Sequence, residues 1–151
     1  MDVLQAIKLR KIPIIGFLGG GLLRLWGCDI PKSVNLPSNV YFAHHGNGVC
    51  IHPSTEIKSG ARIFQQVTIG RADVYRPSVS SDYVKIIIDE YAIIGAGAKI
   101  IASNGVMRIG KDAIIGANSV VLHDVPDGEV WAGVPAKKLY KRKKEDIFHG
   151  K

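Results

Sequence analysis

Aliphatic residues recur along this chain with a period of six. Ile51, Ile57, Ile63 and Ile69 form one block, Ile88, Ile94 and Ile100 a second, and Ile109, Ile115 and Val121 a third. Four positions after these aliphatics stand small or β-branched residues: Thr55, Ala61, Val67, Ala92, Ala98, Ala113, Ser119 and Val125. Glycine follows the aliphatic directly at Gly70, Gly95, Gly110 and Gly116. An α-helix turns every 3.6 residues, so it would scatter residues six apart over different faces. Six residues make one short strand plus one turn, and three such units close a triangular coil. The aliphatic then points inward, the small residue fits the crowded corner, and glycine serves turns that need unusual backbone angles. Neighbouring coils pair as parallel strands about 4.8 Å apart. The pattern predicts an all-β fold, a parallel β-helix of hexapeptide repeats.

The breaks in phase carry information too. Residues 71–85, between Ile69 and Ile88, are polar and lack the repeat, which predicts a loop projecting from the coil. A second irregularity, 101–108, runs three residues longer than one hexad. Loops that interrupt a rigid scaffold are where binding sits. Before the repeat, the apolar stretch 12–26 is broken by Pro13, Gly16, Gly19, Gly20, Gly21 and Arg24. It is too short and too broken for a transmembrane helix. No small-x-small cleavage site follows it. The layout predicted is a helical cap over 1–27, a β-helix over 28–136 and a basic tail over 137–151, in a cytoplasmic protein. Weak association with a membrane surface is the minor reading of the first stretch.

Composition narrows the partners. The chain has 151 residues, enough for one domain, with 17 glycines and 7% aromatics, which suits tight turns around a narrow core. The formal net charge is +7, and Lys137, Lys138, Lys141, Arg142, Lys143 and Lys144 cluster near the end. Such an excess can face nucleic acid, an anionic membrane or a phosphate-bearing small molecule; it can also be a solvated tail. Zinc-finger spacing and aromatic–basic RNA motifs are missing, so nucleic acid ranks last. Cys28 and Cys50 alone give neither a disulfide framework nor a metal motif.

At this point a resemblance emerges. Phe64-Gln65-Gln66-Val67-Thr68-Ile69-Gly70, Ile94-Gly95-Ala96-Gly97-Ala98-Lys99-Ile100 and Ile115-Gly116-Ala117-Asn118-Ser119-Val120-Val121-Leu122 resemble successive coils of the serine acetyltransferase-like hexapeptide acyltransferases. Asp124-Val125-Pro126 followed by Ala132-Gly133-Val134-Pro135-Ala136 resembles their C-terminal signature. The resemblance implies a left-handed coil, a homotrimer with sites between subunits, and transfer of acetyl from acetyl-CoA to a hydroxyl without a metal. The acceptor is serine in some members and a sugar of a surface polysaccharide in others. The short stretch before the repeat resembles the polysaccharide-associated members more. Lys85 stands near the place where the serine enzymes carry a loop histidine before Pro-Lys-Ile, a departure that counts against serine. A sugar hydroxyl is therefore the first expectation and serine the second.

Such a transfer needs a base to take the hydroxyl proton, and histidine, with an unperturbed pKa near 6.5, suits it. The resemblance implies that the base is His44 or His45, with Asp29 as its acidic partner. Counting from Asp29 favours His44, counting back from Ile57 favours His45, and the reading leans to His44. It further implies acetyl-CoA lying along Gly70, Ala96, Ala98, Ala117 and Ser119, with its nucleotide end at Pro135, Lys137 and Lys138. Each small residue could equally be coil packing. His52, His123 and His149 read as structural or tail residues. A zinc enzyme would need three converging histidines, and His44, His45 and His52 lack that spacing. A non-catalytic scaffold would explain the repeats but not Asp29, the histidine pair and the closing signature together.

Overall fold

The computed structural model describes residues 2–13, 16–76, 81–147 and 149. Two helices lead in, α1 (Val3–Arg10) and α2 (Gly16–Leu25). Asp2 starts α1 with a capping box: its carboxylate accepts the Gln5 N–H at 2.7 Å, and the Gln5 side chain accepts the Asp2 N–H at 2.8 Å. The helices bury Val3, Ala6, Ile7 and Leu23 in one core with Cys28, Ile30 and Val49.

Among the described residues thirteen short strands follow: β1 (Tyr41–Phe42), β2 (Cys50–Ile51), β3 (Thr55–Ile57), β4 (Arg62–Ile63), β5 (Thr68–Arg71), β6 (Tyr83–Ile88), β7 (Ile93–Ile94), β8 (Lys99–Ala102), β9 (Gly105–Ile109), β10 (Ile114–Ile115), β11 (Val120–Val121), β12 (Glu129–Gly133) and β13 (Ala136–Lys141). They form three sheets, β1-β4-β7-β10-β12-β13, β2-β5-β8-β11 and β3-β6-β9. Through β11 the chain visits the three sheets in strict rotation. All pairings are parallel except β12 with β13.

Register explains the period of six. Ile63, Ile94 and Ile115 stack on one face. Ile51, Ile69, Ile100 and Val121 stack on the second. Ile57, Ile88 and Ile109, continued by Val125, stack on the third. None of these side chains is more than 2% exposed. Each contributes roughly 1.5–3 kcal/mol of burial, and together they fill the interior.

The turns differ from the sequence expectation. The residues that need positive φ stand three places after the aliphatic, at Gly60, Gln66, Tyr91, Gly97, Asp112, Asn118 and Gly128. From Gln66 onward their N–H groups tie each coil to the one before, as in Gln66 to Asn47 O (2.8 Å), Gly97 to Gln65 O (2.9 Å) and Asn118 to Ala96 O (2.8 Å). The glycines directly after the aliphatics answer a different constraint, close approach. A Cβ on Gly95 would stand 2.7 Å from Ile115 O, and one on Gly110 would stand 2.6 Å from Asp127 N.

The two irregular segments meet. Strand β6 begins at Tyr83, inside the expected loop, because Tyr83 and Lys85 pair with Gly105 and Val106 of β9. The extra residues before Arg108 thus lengthen a strand under the root of the loop. At the far end, Ala136–Lys141 folds back on β12 as an antiparallel hairpin arm rather than a free tail.

Candidate active site

The corner between β1 and β2 is three residues longer than the corner between β4 and β5. The excess forms a 3-10 turn, Ala43–Gly46, in which His44 (φ 50°) and His45 (φ 54°) both take left-handed backbone. Non-glycine residues seldom do so, and here the surroundings hold the turn in place. Gly46 O accepts the Cys28 thiol at 2.9 Å and the Val49 N–H at 2.9 Å. Trp26 O accepts the Gly48 N–H at 3.0 Å. The Trp26 ring stacks on His45, centroids 5.4 Å apart and planes at 24°. The chain from Trp26 to Asp29 is therefore zipped to the histidine turn.

Asp29 extends the β2 sheet by one position. Its N–H donates to Val49 O at 2.9 Å and its carbonyl accepts from Ile51 N at 2.8 Å, pairing it with Cys50. The structure thus brings Asp29, His44 and His45 to one corner, all three exposed. Among the described residues no hydrogen bond joins the carboxylate to either ring. His45 is oriented by Trp26, whereas the His44 ring has no hydrogen-bonding or stacking partner among the described residues. Burial, and next the negative charge of Asp29, push the Cys50 thiol up, so it stays protonated beside them. A neutral thiol is a poor nucleophile, which leaves the imidazoles as the reactive groups at this corner.

The residues expected along the acyl donor divide. Gly70 and Ala96 are half-buried and Ala117 is exposed. Ala98 and Ser119 are wholly buried at 0%. The Ala98 backbone is spent on Gly95 O and Thr68 N, and the Ser119 hydroxyl accepts the Gly133 N–H at 3.1 Å. Both side chains therefore lie inside the coil. Pro135 and Lys137 are exposed on the terminal hairpin. Lys138 differs: its Nζ donates to Glu129 Oε1 at 2.6 Å, and Glu129 Oε2 accepts the Trp131 indole N–H at 2.9 Å. The Lys138 bond, and then the Trp131 bond, hold the Glu129 carboxyl below its usual range. Among the described residues Lys137 enters no ion pair, whereas Lys138 does.

A second cluster escaped sequence reading. His52 Nδ1 accepts the Ser54 N–H at 3.2 Å and lies 3.3 Å from the Tyr83 hydroxyl, their rings edge-to-face at 5.1 Å. The Arg71 guanidinium sits over the Tyr83 ring and donates to Asp73 at 2.6 Å; Ser81 donates to the same carboxylate. Those two bonds hold Asp73 below the usual carboxylate range, Arg71 first. Burial and then the Arg71 charge push His52 down, so the ring is neutral. The cluster fixes the root of the projecting loop. Its members lie 31 positions apart at the extremes, so no local pattern announced it. His149 Nε2 meets Asp112 Oδ1 at 2.5 Å with its ring stacked on Tyr91. His123 lines a polar cavity of about 340 Å³ with Ser103 and Asn104. Among the described residues, no three His, Cys, Asp or Glu side chains gather as a metal site would require.

A three-sided parallel stack carrying a histidine turn at one corner is the setting expected of a hexapeptide-repeat acyltransferase, and homology agrees with that class. No protein-family model matches the chain. Serine acetyltransferases stand among its homologues and structural neighbours. The Bacillus subtilis serine acetyltransferase is 34% identical over 97% of this chain and 65% of its own length. The Brucella abortus serine acetyltransferase solved with coenzyme A is 27% identical, with a TM-score of 0.71 over 93% of this chain and 54% of that one. The Neisseria gonorrhoeae serine acetyltransferase solved with serine is 28% identical, with a TM-score of 0.70 over 89% of this chain and 54% of that one. The chain spans between about half and two thirds of the length of the first curated relatives it matches.

Proposed function

We propose that the chain transfers the acetyl group of acetyl-CoA to the hydroxyl of serine. The observation that carries this reading is its likeness, over nearly its whole length, to a serine acetyltransferase solved with coenzyme A. The relative solved with serine favours that acceptor over the sugar hydroxyl expected first from the sequence. The reading includes a left-handed coil and a homotrimer in which a neighbour completes each site.

The chemistry needs little beyond the corner described. A neutral imidazole, His44 in the preferred reading, takes the hydroxyl proton as the oxygen attacks the thioester carbonyl. The C–S bond then breaks, and the imidazolium returns the proton to the departing CoA thiolate. The Asp29 carboxylate favours the transient imidazolium. The donor lies against Gly70, Ala96 and Ala117, with Lys137 near its phosphates beside Pro135.

Labelled acetyl-CoA, offered with serine and with a panel of sugars, tests the reading. We expect label in O-acetylserine with matching release of free thiol. Label in a sugar and none in serine would return the acceptor to the sugar class. No thiol release with any acceptor would remove the transferase reading.

A further inference from the structure

Helix α2 is apolar on two opposite sides. Gly19 and Leu23 face the core, with Leu22 and Trp26 packed beside them. On the other side stand Phe17, 74% exposed, Leu18, 48% exposed, and Leu25, 79% exposed. With Gly21 and Arg24 these occupy an arc of about 120° on a helix of 3.6 residues per turn. Ile12, in the turn after α1, is 46% exposed as well. A helix that is apolar all round has a partner on every side. Here the coil supplies only one.

Charge identifies the other. From Val3 to Gly27 the sequence holds Lys8, Arg10, Lys11 and Arg24 and no aspartate or glutamate. Lys8, Lys11 and Arg24 are exposed, and none of them enters an ion pair among the described residues. A second copy seated symmetrically on this face would set Arg24 and its neighbouring cations against their own like. A surface with hydrocarbon below and anionic headgroups above suits both features at once. We infer that the α1–α2 hairpin docks the protein on anionic lipid bilayers, with the Phe17–Leu18–Leu25 stripe entering the headgroup boundary. No helix among the described residues is long and apolar enough to cross a membrane, so the hairpin lies on the surface.

Vesicle flotation tests this independently of catalysis. The protein is mixed with phosphatidylcholine vesicles or with mixed phosphatidylcholine–phosphatidylglycerol vesicles. We expect flotation with the mixed vesicles, little with pure phosphatidylcholine, and weakening with salt. Removing both Lys8 and Lys11 as glutamine should weaken binding about 25-fold, since a cation near an anionic surface contributes roughly five-fold. Phe17→Ser with Leu25→Ser should abolish flotation while leaving thermal unfolding unchanged, because both side chains are exposed. Flotation equal in wild type and serine variant overturns the inference. So does failure of the wild type to float. Should sedimentation instead show self-association that the serine variant loses, the stripe belongs to a second copy.

Discussion

His44 and His45 differ in what holds them. Trp26 fixes the His45 ring by stacking, while His44 projects from a left-handed position with no hydrogen bond or ring contact to its side chain among the described residues. If His44 is the base, His44→Ala should lower kcat by about 100- to 10,000-fold, with the KM for acetyl-CoA little changed. His45→Ala should cost less. The reverse order would make His45 the base and Trp26 its orienting residue. Lys138 allows a second test at this scale. Its partner Glu129 is nearly buried and held below the ordinary glutamate value of 4.5. A depressed carboxyl contributes stability that is present above its unfolded value and lost as pH falls through its folded one. Lys138→Ala should therefore lower the Tm at neutral pH, and the gap should narrow as pH falls below 4.5. Lys137→Ala should leave the Tm alone and raise the KM for acetyl-CoA. A pH-independent gap in Lys138→Ala would show that Glu129 does not depend on this lysine. The sequence marked His44, His45, Lys137 and Lys138, but neither Trp26 and Glu129 nor the pairing that separates the lysines. That pairing depends on a hairpin whose arms meet only in the folded chain.

At the scale of the element, one hexad is a strand, a close approach and a turn. The aliphatic and the small corner residue were legible because both repeat strictly and both face inward. The turn residue was not, since Gln66, Tyr91, Asp112 and Asn118 occupy positions where a glycine rule would look for glycine. Backbone bonds between coils, 2.8–3.1 Å long at these four, hold the strained angle whatever the side chain. Substitution at the glycines after the aliphatics should separate the two roles. Gly95→Ala would drive a Cβ into Ile115 O and Ala117 N at 2.7 and 2.8 Å, both backbone and both immobile. We expect a loss of about 1–3 kcal/mol or more in denaturant unfolding, the usual cost of overpacking. Gly70→Ala has nothing within 4 Å. It should be neutral or stabilise by up to about 1 kcal/mol through the unfolded state. Equal losses at both positions would mean that the coils breathe enough to admit a methyl group.

At the scale of the molecule, the coil buries its aliphatic ladders within a single chain. The proposed catalytic corner, by contrast, lies open, with Asp29, His44 and His45 all exposed. In that reading a neighbouring copy covers it, so we expect a trimer by sedimentation equilibrium. Dilution that dissociates the trimer should abolish turnover before it unfolds the chain. A monomer with undiminished turnover would show that one chain forms a complete site.

The sequence alone determined the parallel coil and its three ladders, and its resemblance to a family pointed to Asp29 and the histidines. A strict period of six leaves the backbone one economical way to bury every aliphatic. Tertiary structure decided what depends on distance across the chain. It turned Ala98 and Ser119 inward, tied Lys138 to Glu129, and locked His52 to Tyr83 under the loop root. It also left the Phe17–Leu18–Leu25 stripe uncovered, because burial is a property of neighbours and no local pattern states which neighbours will arrive.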